Sequence, residues 1–317
     1  MSGFHGFWDK WWYGDPPMDD KIFDAIHQEF NQILYFCGLF PDPRPIRRLL
    51  TFGILILNIV ICVTYMYLLG ATAVLQNEDF FTASQTAHFA SCDLLSLICI
   101  ISLLLNRNRM IEMFRASAHN YYDYDDDAKI SEMREEYMTT KKQKTIILIG
   151  LPSYLSLIGM VCLMSRTIDE YLGGGSNETN IDGVYQLTPV PMWYPFSIQS
   201  EPMHWIAVSS QAIAMFSTAT SIGGTAAILV IFSQSISLQF KIIIYRIRKA
   251  EKHAYQLYRM NGGKKLKNVQ LYSDPSFLGF YNSNLNKLAE HHSILIRQFD
   301  SLYQVVKWPA GCALLLG

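Results

Sequence analysis

The sequence predicts an all-α membrane protein: a polytopic helical bundle with an intracellular N-terminus, four full spans, the start of a fifth, and long helices projecting into the cytoplasm. Three observations predict it. Half of the 317 residues are hydrophobic and only 17% are charged, too apolar for an ordinary soluble domain of this length. Four apolar segments, roughly Leu49 to Leu75, Phe80 to Leu105, Thr145 to Met164 and His204 to Phe240, are near or above the ~20 residues an α-helix needs to cross a bilayer. The basic residues are concentrated in alternate loops. About eight lie between Asn106 and Lys144 and about twelve between Lys241 and Lys307, with none from Gln76 to Asp79. The positive-inside bias then places the N-terminus in the cytoplasm.

Residues 1–48 form a polar, proline-punctuated cytoplasmic segment whose cluster Phe7, Trp8, Trp11, Trp12 and Tyr13 suits either a membrane interface or packing on neighbouring protein. Asp9, Lys10, Asp15, Asp19 and Asp20 exclude the apolar core of a cleavable signal peptide. Helical spacing from Ile22 to Phe36, stopped by Gly38 and Pro41, predicts a short surface helix. Spans one to four occupy 49–240, with an extracellular loop at 166–203. That loop carries a single Arg and the sequon Asn177, Glu178, Thr179, an acceptor for glycosylation on the extracellular side.

The fourth apolar run stays uncharged from Trp205 to Phe240, then continues in helix-favouring residues through Arg259. It therefore either tilts strongly or projects into the cytoplasm. Asn261, Gly262 and Gly263 end it, and Asp274 and Pro275 begin the next element. Residues 241–307 are expected to be a cytoplasmic helical region. There, Leu285, Leu288, His292, Leu295, Phe299, Leu302 and Val306 alternate steps of three and four, the seam of a helix packed on other helices. After Trp308 and Pro309 the chain is wholly apolar to Gly317 and reads as the start of a fifth span cut short.

Function classes narrow accordingly. The near-neutral balance, net charge -1, lacks the basic footprint that nucleic-acid binding requires. The six cysteines lie mostly in apolar runs, and none is in the extracellular loop, so no disulfide framework is expected. His291 and His292 are adjacent and point about 100° apart on a helix, which does not suit one shared metal ion. The acidic residues Asp123, Asp125, Asp126 and Asp127 lack the spacing of a calcium loop. Lys264, Lys265 and Lys267 with Arg246, Arg248 and Lys249 suit anionic lipid head groups, or ordinary positive-inside charge. No phosphate loop, nucleophile elbow or paired carboxylate at membrane depth suggests an enzyme, and no cofactor is expected. Asp93 is the one acidic residue deep within an apolar run, so it should face either a cavity serving gating or ligand access, or a polar partner on a neighbouring helix.

Two stretches carry a family resemblance. Ile33, Leu34, Tyr35, Phe36, Cys37, Gly38, Leu39, Phe40 and Pro41 resemble the leucine, glycine and proline lead-in to span one of the insect odorant receptors. Leu288, Ala289, Glu290, His291, His292, Ser293, Ile294 and Leu295, through Phe299 and Leu302, are similar to the helix before that family's fifth span. The resemblance implies a seven-span receptor whose last spans hold the ion pore. Such a chain would be the ligand-binding subunit of an odorant-gated cation channel, assembling in the plasma membrane of olfactory sensory neurons with the odorant receptor coreceptor. It also implies a pocket for a small volatile odorant among the extracellular halves of the spans. Carrying depth and facing across, the candidate wall is Phe81, Ser84, Gln85, His88 and Phe89 from span two, Ser156, Gly159, Met160 and Leu163 from span three, and Ser209, Ile213 and Phe216 from span four. Apolar and aromatic walls bury hydrocarbon while a few hydroxyl or imidazole groups fix orientation. The nearest alternative is a gustatory receptor of the related family. A G-protein-coupled receptor conflicts with the cytoplasmic N-terminus and the lack of extracellular cysteines. A transporter would call for matching glycine- or proline-broken helices in two halves, which Pro152 and the Gly223, Gly224 pair do not make.

Overall fold

The computed structural model describes residues 45–76, 79–118, 130–171, 184–185, 188–198, 200–264 and 268–316. The aromatic cluster, the surface helix at 22–36, the lead-in motif at 33–41, the acidic run at 123–127, Asn177, Lys265 and Lys267 lie outside them.

The described chain is helical apart from one small hairpin. Helix α1 is Pro45–Leu75, α2 Phe80–Leu105, α3 Arg107–Ala118 and α4 Ile130–Tyr171. Strands β1, Val184–Tyr185, and β2, Met192–Trp193, follow, then α5 Glu201–Met260, the single turn α6 Asn268–Leu271, and α7 Pro275–Leu316. Pro45 opens α1, where its missing N–H costs no hydrogen bond. Asp79 caps α2, its carboxylate accepting from the amides of Phe81 at 3.1 Å and Thr82 at 3.4 Å. Among the described residues, Leu49–Leu75 of α1, α2 and α5 are each long and apolar enough to cross a membrane. Helix α4 contains the apolar run at 145–164 within its 42 residues.

Helix α5 is the axis of the molecule. Helices α4 and α7 lie along it, α1 packs on α2, and both touch α5; α7 also contacts α2 and α3. Three clusters of apolar side chains result. One lies beneath the hairpin, and a small one of Ala254, Tyr258, Leu271 and Phe277 lies at the far end of α5. The largest fills the region between them, where Ile100, Phe114, Ile228, Ile231, Phe232 and Leu295 are fully enclosed. The Asn106–Lys144 stretch, expected as a basic loop, contains α3. Its Met110, Ile111, Met113 and Phe114 are buried, and the Phe114 ring meets Phe232 edge-on with centroids 5.1 Å apart. The short i, i+1, i+3, i+4 pattern that buries them is a helical face hidden among charges. At the far end α5 stops at Asn261. Gly262 then adopts φ 84°, a left-handed turn suited to glycine. The Tyr258 hydroxyl donates to Asp274 at 2.7 Å, tying α5 to the start of α7, and that bond holds the Asp274 carboxyl below its ordinary range.

The expected seam of α7 is rotated by about one residue. Its buried stripe is Leu288, His291, Leu295, Gln298, Leu302 and Val305, whereas His292 faces outward and Leu285, Phe299 and Tyr303 are exposed. The three leucines recur every seven residues and belong to either stripe. Apolarity alone favours the stripe with Phe299, but the Ser102 hydroxyl donates to the Val305 carbonyl at 2.9 Å and fixes the other rotation. The outward stripe borders an open cleft of about 220 Å³ lined by Ser233, Ile236, Ser237, Phe240, Phe299 and Leu302.

His291 gives the inward stripe a pH dependence. Burial, aided by the Arg246 and His292 charges, holds its imidazole down at about 4, against an ordinary 6.5. The unfolded chain therefore binds the proton more readily. The contribution of His291 to stability is complete above pH 6.5 and is lost as pH falls towards 4. Unfolding temperatures measured across that window should fall with acidification, and His291→Gln should flatten the profile. An unchanged slope in the variant would assign the acid sensitivity to another group.

Candidate ligand-binding site

The hairpin closes one end of the bundle. Its strands pair antiparallel, Val184 with Trp193 and Tyr185 with Met192. Val190, Met192, Tyr194 and Ile198 bury against Tyr65, Leu68 and Leu69 of α1 and Ala207 and Ala214 of α5, with Phe89 and Ala90 of α2 alongside. Polar anchors fix its position. The Trp193 amide donates to the Thr72 hydroxyl at 2.8 Å. Gln211 accepts from the Val190 amide at 3.1 Å and donates to the Val190 carbonyl at 2.9 Å and the Tyr194 hydroxyl at 3.0 Å. Burial pushes the Tyr194 phenol up, so it stays protonated.

Ten of the twelve candidate wall residues divide into three groups. Phe81, Ser84 and His88 share an exposed stripe of α2, the i, i+3, i+7 face; Phe81 is 76% exposed. Ser209, Ile213 and Phe216 form a second exposed stripe, on α5. Gln85, Phe89, Ser156 and Gly159 are half-buried, Phe89 packing beside the hairpin with His88 edge-on to it at 6.1 Å. Met160 is exposed on α4, and the Leu163 side chain lies outside the described residues. None of the twelve lines the cleft beside Phe299, which is elsewhere on the bundle.

Gly159 stands where α4 meets α5. A Cβ built there would lie 3.7 Å from the Met215 Cβ, an ordinary contact. Gly159→Ala should therefore be nearly neutral in thermal unfolding, whereas Gly159→Leu overpacks the junction and should cost about 1–3 kcal/mol. Equal stabilities for the leucine and alanine variants would mean that the helices separate freely.

The interior between α1, α2 and α5 is polar. Asp93 is only 6% exposed and accepts a hydrogen bond from the Thr218 hydroxyl at 2.5 Å, so it has the interhelical polar partner expected of a carboxylate at that depth. Cys62 lies 3.4 Å from the Ser96 hydroxyl and 4.0 Å from that of Thr218. Ser217 donates to the Asn58 side-chain carbonyl at 2.7 Å, and Tyr65 donates to Ser210 at 2.6 Å. His88 is on the exposed face, 3.9 Å from Cys92, and does not join this interior. Sequence reasoning singled out Asp93 and none of its companions. The signal was present in α5, where Ser210, Gln211, Ser217, Thr218, Ser221 and Thr225 recur on one helical face. Among the described residues no cluster of three or more His, Cys, Asp or Glu side chains is placed to hold a metal ion.

Long apolar helices with polar links between them define a polytopic helical membrane protein. Residues 79–309 match the profile of the 7tm odorant receptor family, and the chain belongs to that family. No curated protein sequence matches it. Among solved structures it is similar to the insect olfactory receptor OR5 from Machilis hrabei in complex with eugenol. The identity is 16% and the TM-score 0.59, with 94% of this chain and 71% of that one covered. A second structure of OR5 from Machilis hrabei is similar at 15% identity and TM-score 0.55, with the same coverage. At these identities the likeness is one of fold.

Proposed function

We propose that the chain is the odorant-binding subunit of an odorant-gated cation channel, working with the odorant receptor coreceptor in the plasma membrane of olfactory sensory neurons. The observation that carries this reading is the family match over residues 79–309. Its ligand is a small volatile, bound in the hairpin-end half of the bundle. The exposed stripes of α2 and α5 offer Phe81, Ile213 and Phe216 for hydrocarbon and Ser84, His88 and Ser209 for one or two polar contacts. The eugenol complex of OR5 supports a small aromatic volatile as the first class to try. Binding at the hairpin end biases a closed-to-open equilibrium by as much as the ligand's affinity differs between the two states. The charge bias supports a cytoplasmic N-terminus, which puts the hairpin and Asn177 outside the cell.

The test is expression of the receptor with the coreceptor and recording of currents across a panel of volatiles. An inward current that requires this chain, and whose dose dependence shifts in Phe216→Ala and His88→Ala, supports the reading. Responses identical to those of the coreceptor alone would refute it. Loss of a glycan-dependent mobility shift in Asn177→Gln checks the orientation separately.

A further inference from the structure

The polar interior holds a charge that the described residues do not balance. Thr218 is the only hydrogen-bond partner of Asp93 among them, and no Lys, Arg or His reaches the carboxylate. A bare carboxylate enclosed at this depth is costly, and one hydroxyl does not offset it. The site must take up one positive charge, as a proton or as a cation. Two further hydroxyls distinguish these cases. Ser221 and Thr225, 1% and 2% exposed, have no hydrogen-bond partner among the described residues. Other buried hydroxyls of these helices bond to the carbonyl four residues back, as Thr72, Thr86, Thr220 and Ser235 do at 2.7–2.9 Å. Ser221 and Thr225 instead continue the face of α5 that carries Thr218, ~4.5 Å and ~10 Å further along the axis. A proton on Asp93 would leave both unsatisfied, whereas a cation with its water would engage them.

We propose that Asp93, Thr218 and Ser221 hold a hydrated monovalent cation, Na+ foremost, between α1, α2 and α5, with Thr225 binding its water. Hard cations take oxygen ligands, which these residues supply, and one carboxylate balances one charge. A buried water also needs two or more polar partners, and the Ser221 and Thr225 hydroxyls provide them. The site is distinct from the proposed odorant wall and does not depend on that reading. It joins α2 to α5, beside α1, through a ligand available at high concentration on at least one side of a cell membrane.

The experiment is thermal unfolding of the full chain in lipid nanodiscs, with NaCl replacing choline chloride at constant ionic strength. The wild-type unfolding temperature should rise with Na+ and saturate, as for a ligand that binds only the folded state. Asp93→Asn should abolish the rise, and Ser221→Ala should move its midpoint to several-fold higher Na+. Identical unfolding in the two salts would mean that a proton alone neutralises Asp93, and would overturn the proposal. So would an undiminished Na+ response in Asp93→Asn. If that variant does not fold, Ser221→Ala decides: an unshifted midpoint overturns the site.

Discussion

Replacing Phe232 by alanine is expected to destabilise the bundle by about 3–5 kcal/mol, the range for removing a large enclosed aromatic. Phe232 is fully buried and meets Phe114 edge-on at 5.1 Å, with Ile231, Ile228 and Ile236 around it. Its ring is where α3, a helix outside the apolar runs, is held to the central axis. The loss should appear as a lower unfolding temperature in nanodiscs. It should also appear as faster hydrogen exchange in α3. Phe232→Leu, which refills part of the volume, should recover most of the stability. Equal losses for leucine and alanine would show that the ring geometry, and not its volume, holds α3.

The second large effect is local. Gln211→Ala removes three hydrogen bonds to the hairpin and strands the Val190 amide inside a buried site, while the Val190 carbonyl keeps the Thr188 hydroxyl at 2.7 Å. The stranded amide costs about 1–3 kcal/mol. The hairpin retains the Trp193 to Thr72 bond and its apolar contacts, so it should loosen without the helices unfolding. Hydrogen exchange in 188–198 should accelerate tenfold or more while exchange in the middle of α5 stays slow. Unaltered exchange there would mean that burial of Met192 and Tyr194 alone seats the hairpin.

What the sequence made legible follows from the range of the forces involved. The apolar runs at 49–75 and 80–105 lie within α1 and α2, because hydrocarbon thickness writes itself into the length of a run. The continuation of α5 past Phe240 was visible as helix-favouring residues, and the helix does run to Met260. The phase of α7 was not legible. Two stripes share its leucines, and the deciding contact comes from Ser102, 203 positions away in the chain. The same holds for Gln211 and the hairpin, and for Thr218 and Asp93, pairs that meet only once the helices have packed. Candidate wall residues were chosen by depth, but facing is set by neighbours, so some are half-buried and others lie on open stripes.

The length of α5 has a mechanical consequence. At ~1.5 Å per residue its 60 residues span ~90 Å, of which a bilayer's hydrocarbon core takes ~30 Å. Its only proline, Pro202, lies in the first turn, so the rod carries no internal hinge of that kind. A tilt of ~5° at the hairpin end, small enough to come from a repacked side chain, would swing a point ~60 Å further along by ~5 Å, about one helical turn. The helix is thus a lever, with its short arm beneath the hairpin and its long arm carrying the cleft beside Phe240 and the tie from Tyr258 to Asp274.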